Sequence, residues 1–85
     1  MKGVNTSNGW YYVYSYETIM AIVLPSDRVI LNIKYYSRTT SKIQHLLKNV
    51  YEGYEFVEVE PKSSNSYFEN TEMERKADDV ALLDY

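Results

Sequence analysis

At 85 residues without a cysteine, the chain makes one small domain whose core, or association with another chain, must hold it without disulfides. A single histidine and carboxylates that lack calcium-loop spacing leave no basis for a metal site, and three glycines form no phosphate-cradling loop, so no cofactor is expected. The net charge of −3 conceals an asymmetry: residues 28–48 carry five basic side chains and no acid, whereas residues 49–85 carry ten acids against three basic side chains.

In chain order, residues 1–9 are polar, contain two glycines, and read as a flexible lead-in to a single domain over residues 10–85. "WYYVYSY" (10–16) is aromatic and favours a strand. "TIMAIVL" (18–24) is continuously apolar, as in a strand buried on both faces. After the turn signal "PSDR", the run "RVILNIKYY" alternates, with Val29, Leu31 and Ile33 on one side and Ile30, Asn32 and Lys34 on the other. Connections this short make the three strands an antiparallel meander.

Ser41 and Gln44 have capping-box spacing, with Thr40 as an alternative cap, and Ile43, Leu46, Leu47, Val50 and Tyr51 follow helical spacing up to Gly53. "YEFVEVE" (54–60) alternates as a fourth strand that Pro61 ends. Thr71 and Glu74 repeat the capping box before a second helix, whose apolar positions are Met73, Ala77, Val80 and Ala81. The expectation is an α+β fold: an antiparallel sheet of about four strands with two helices on one sheet face, in the order β-β-β-α-β-α. No apolar run approaches the ~20 residues of a membrane helix, which predicts a cytoplasmic protein with no membrane partner.

Catalysis finds little support. A serine nucleophile needs a base and an orienting group, and the only histidine, His45, flanks the apolar stripe of the first helix. Glu58 and Glu60 read as a solvated strand edge rather than an acid–base pair. The domain is therefore expected not to be an enzyme, which leaves binding.

The acidic half could present Glu58, Glu60, Glu69, Glu72, Glu74, Asp78 and Asp79, with Tyr67 and Tyr85, to a basic protein, although the spacings Glu72–Lys76 and Arg75–Asp79 allow self-compensation. The alternative is a nucleic-acid or anion site built from Arg28, Lys34, Tyr36, Arg38, Thr39, Thr40, Ser41 and Lys42, where cations lie among aromatics at a helix start. The first reading requires the cationic and anionic stretches to fold to opposite flanks. Self-association is a third use of the surface.

The runs "YSYETIMAI" and "NIKYYSRTTSKIQHLL" resemble a pattern in small uncharacterised proteins of phages and mobile elements. The matching positions are Tyr14, Ser15, Tyr16, Thr18, Ala21, Tyr36, Ser37, Thr39, Thr40, Ser41, Lys42 and Gln44, between Tyr14 and Leu47. Ile43 stands where such proteins often have histidine. The resemblance assigns no activity. It implies an accessory protein that binds and blocks a host protein, such as a nucleic-acid-handling defence complex, in the manner of anti-CRISPR proteins.

Overall fold

The computed structural model describes residues 1–83. Strands β1 (Lys2–Asn5), β2 (Tyr11–Ser15), β3 (Thr18–Leu24) and β4 (Arg28–Asn32) form an antiparallel meander. Helix α1 (Arg38–Val50) then carries the chain across the sheet to β5 (Glu55–Val59), which pairs in parallel with β4. Helix α2 (Ser66–Leu82) follows. The result is an α+β domain with a mostly antiparallel sheet of strand order β1-β2-β3-β4-β5.

Three features differ from the sequence expectation. The lead-in is not loose, because residues 2–5 form edge strand β1 against β2. Gly3 lets the Tyr11 ring lie across the backbone: a Cβ at this position would fall 1.7 Å from the Tyr11 hydroxyl and would have to push that ring tip aside. The fifth strand is parallel because a helical crossover returns the chain to the starting end of its neighbour.

The helices also take opposite faces of the sheet. On one face, Met73, Ala77 and Val80 of α2 pack with Ile19, Ile22, Leu24 and Ile30. On the other, Leu47 and Ile43 of α1 pack with Val13, Met20, Ala21, Val29 and Leu31. A sheet whose central strands β3 and β4 are apolar on both sides needs cover on both. This three-layer arrangement leaves Ile22, Ile30 and Leu31 fully buried.

Met20 makes β3 irregular. Val13 pairs with Ala21 but Tyr14 pairs with Ile19, so Met20 is an extra residue in the ladder. The bulge turns both Met20 and Ala21 toward α1. Side chains from elsewhere satisfy the displaced backbone of Ile19: Asn70 Oδ1 accepts its N–H at 2.8 Å, and Asn32 Nδ2 donates to its carbonyl at 3.1 Å.

Both helices begin earlier than their capping-box patterns suggest. Ser37 caps α1, accepting the Thr40 N–H, and Asn65 caps α2, accepting the Tyr67 N–H. Gln44 is not a reciprocal cap. Its amide donates to the carbonyls of Asn32 and Lys34, fastening α1 to the end of β4. Gly53, at φ 95°, makes the left-handed turn after α1 as its position implied.

Candidate functional site

Beyond β4 the chain runs through a buried polar cluster before it enters α1. Glu69 of α2 is 3% exposed and accepts from Lys34 Nζ and from the Tyr36 hydroxyl, both at 2.7 Å. Lys34 also donates to the Ser63 carbonyl, and Asn32 Nδ2 donates to the Tyr36 oxygen. The groups come from the end of β4, the segment between β4 and α1, the loop before α2, and α2 itself. With its functional groups committed to structure, the cluster fixes the joint between layers.

This cluster engages several predicted site residues. Glu69 does not face a partner, because it lies on the same helical stripe as Met73, Ala77 and Val80. Lys34 and Tyr36 are half-buried, and their polar ends are committed to Glu69. The two charged stretches do not segregate to opposite flanks. They interleave through Arg28–Glu55 at 3.1 Å, Lys34–Glu69 at 2.7 Å and Lys48–Glu58 at 3.1 Å. Parallel pairing of β4 with β5 places Arg28 opposite Glu55, so the register itself creates one pair.

The remaining acids divide by geometry. Glu58 holds Lys48 on the α1 side of the sheet, and Glu60 is exposed beyond the end of edge strand β5. Glu72 accepts the backbone N–H groups of Lys62 and Ser63 rather than pairing with Lys76, and Arg75 forms no ion pair with Asp79. On α2, Tyr67, Thr71, Glu74 and Asp78 follow i, i+4, i+7, i+11 spacing and share one flank, while Glu72 and Asp79 share the other. Tyr85 lies outside the described residues.

The flank bearing Glu74 and Asp78 adjoins a feature that the sequence reading did not assemble. Trp10, Tyr12 and Tyr14 point to the α2 side of the sheet and stack along β2, with centroids 6.4 and 6.3 Å apart. The period-two spacing of these aromatics in "WYYVY" was the available signal. Burial, reinforced by the charges of Glu74, Tyr14 and Asp78, pushes the Tyr12 phenol up to about 12. Burial and then Glu74 also raise Tyr14. The exposed Glu74 and Asp78 carboxylates of α2 therefore lie near the half-buried rings.

The same phenols give the fold a calculable response to alkali. Burial raises Tyr12, Tyr14, Tyr36 and Tyr51 above the ordinary value of 10.0. The folded protein keeps these hydroxyls protonated while the unfolded chain begins to ionise. Their contribution to stability is thus complete below about pH 10 and is lost as pH rises toward 12. Alkaline titration is expected to show tyrosinate absorbance rising together with loss of secondary structure. Ionisation of all ten tyrosines near pH 10 with the fold intact would contradict it.

Among the described residues no group of histidine and acidic side chains could hold a metal ion, and no helix is long and apolar enough to cross a membrane. His45 is exposed on α1, beside a cleft lined by Leu31, Ile33, Lys48 and Glu58. The fold and its surface define a small three-layer α+β domain with an acid-flanked aromatic ladder. The chain belongs to the family of unknown function DUF8033, whose model matches residues 1–70. No curated protein and no solved structure matches it.

Proposed function

We propose that the domain is a non-enzymatic binding module that docks a basic segment of a partner protein across the Trp10–Tyr12–Tyr14 ladder and the Tyr67–Glu74–Asp78 flank of α2. Because the two charged stretches interleave, the broad acidic face expected from the sequence does not carry this reading; it narrows to the placement of two carboxylates beside a stacked aromatic strip. Ring faces and carboxylates both attract guanidinium and ammonium groups, and the same carboxylates repel a phosphate backbone. The surface therefore suits the basic groove of a nucleic-acid-handling protein in the cytoplasm. Occupying that groove would block it, as a phage-encoded anti-defence inhibitor does, and the resemblance to phage proteins supports this partner class.

The test uses an arginine-rich peptide as probe. Glu74→Lys combined with Asp78→Lys should abolish its binding, and Trp10→Ala should weaken it about thirtyfold, as for a central aromatic contact. Glu72→Lys combined with Asp79→Lys makes the same change in net charge on the other flank and should leave binding within a few fold. Equal losses from both double variants would reduce the interaction to bulk charge and overturn the assignment. Self-association through this face would appear in sedimentation as a dimer that Trp10→Ala dissolves, and would also overturn it.

A further inference from the structure

On the sheet face opposite the ladder, the start of α1 meets the β2–β3 turn and the beginning of β1. Two cavities, of about 420 and about 110 Å³, lie there, and both are bordered by Ser15 and Tyr16. Lys2, Thr39 and Ile43 line the larger, and Thr18, Tyr36 and Thr40 the smaller.

Ser15 is only 7% exposed. Strand alternation puts its side chain on the same face as Val13, beneath α1. Its hydroxyl makes no hydrogen bond with any described residue. No fully enclosed side-chain polar atom of the described chain lacks a partner, so the Ser15 oxygen must open into the cavities it borders. A hydroxyl that the protein leaves unpartnered at the wall of a cleft is available, as donor and acceptor, to whatever enters it.

The helix start supplies matching donors. Ser37 occupies the amides of Thr40 and Ser41, which leaves those of Arg38 and Thr39 without a partner among the described residues. They head a thirteen-residue helix, whose dipole favours an anion at this end. Lys2 lines the larger cavity, Arg38 and Lys42 lie on α1 one residue before and three after the lining Thr39, and none of the three forms an ion pair with a described residue. The nearest acid along the chain is Glu17, in the turn itself. Beside it Tyr16 is 94% exposed and held at φ 56°, a strained placement for an aromatic residue.

We propose that this cleft binds a phosphate monoester. The Ser15 hydroxyl and the Arg38 and Thr39 amides donate to its oxygens, and Lys2, Arg38 and Lys42 balance its charge. Tyr16 stands at the rim, where its ring can stack on a nucleoside base attached to the phosphate. The site is independent of the docking surface, which lies across the sheet.

Amide chemical shifts should be followed during titration with inorganic phosphate, adenosine monophosphate, and one oligonucleotide with and without a 5′-phosphate. The amides of Ser15, Arg38 and Thr39 should move with the monoesters. Ser15→Ala should weaken binding about tenfold, as for a lost hydrogen bond to a charged group, without lowering the melting temperature. Arg38→Pro should weaken it similarly, because proline fits the first helical position and the extended Ser37 precedes it.

If Tyr16→Ala weakens the nucleotide but not inorganic phosphate, the natural source is nucleoside-borne. Equal affinity of both ligands for the unaltered protein, with no effect of Tyr16→Ala, assigns free phosphate. Absence of shifts at millimolar ligand, an unaffected Ser15→Ala variant, or equal binding of the two oligonucleotides would overturn the monoester site.

Discussion

Replacement of Lys34 by methionine is expected to lower the unfolding free energy by about 3 kcal/mol, the lower end for breaking a buried ion pair. The lower end applies because the Lys34 side chain keeps 26% of its surface exposed, against 4% for Glu69. The loss comes mainly from what remains: a carboxylate enclosed by α2 and the sheet, with only the Tyr36 hydroxyl to stabilise it. Glu69→Gln leaves the Lys34 ammonium without its carboxylate, but that group is partly solvated and still donates to the Ser63 carbonyl, so the change should cost less. Lys34→Met with Glu69→Leu removes both charges and should recover part of the single-variant loss. Urea midpoints, compared at constant slope, check the order. A Lys34→Met loss below that of Glu69→Gln would show that the pair is not the source of the cost.

Met73→Ala is expected to cost about 2–4 kcal/mol, within the range for truncating a buried methionine. Met73 is fully buried at the centre of the α2 contact with Ile19, Ile22 and Ile30. A domain of this length has a total stability of roughly 4–13 kcal/mol, so this one truncation removes a substantial part of it. Arg75→Ala, on the outward face of the same helix, should change stability by less than about 0.5 kcal/mol. The contrast separates seating of α2 from its intrinsic helicity. Comparable losses at the two positions would mean that α2 does not rest on the sheet through Met73.

The particular residues explain what could be read in advance. The stripe Ile43, Leu47 and Tyr51 marks α1 because helix burial repeats at that spacing. Its start was ambiguous because Ser37, Thr40 and Ser41 are all chemically able to cap, and only backbone geometry selects Ser37. Edge strand β1 was hidden because "KGVN" has no buried side chain, and pairing with β2 alone makes it a strand. The two-sided apolar character of "TIMAIVL" was recognised, yet its consequence, a helix on each face, follows only when Val29 and Leu31 are weighed against Ile30 on β4.

The acidic half illustrates a different limit. Glu69 shares helical phase with Met73, Ala77 and Val80, so its burial was recoverable from the second helix once that helix began at Ser66 rather than near Thr71. Its partner was not recoverable, because Lys34 lies 35 residues earlier and meets it only through the tertiary fold. The phosphate cleft combines both kinds of information. The hydroxyl-rich entry to α1 was evident, whereas the isolation of the Ser15 hydroxyl emerges only from packing.

The Asn32–Tyr36–Glu69 joint also constrains the order in which the chain can mature. Residues 1–65 contain every strand among the described residues and the first helix, but they lack Glu69 and Asn70, which complete the hydrogen bonding of Lys34, Tyr36 and the bulged Ile19. On a ribosome, the sheet would emerge with those groups still hydrated and one broad apolar face bare. Final consolidation must await the arrival of the last seventeen-residue helix. Closure of the domain is thereby tied to the delivery of α2 rather than to completion of the sheet.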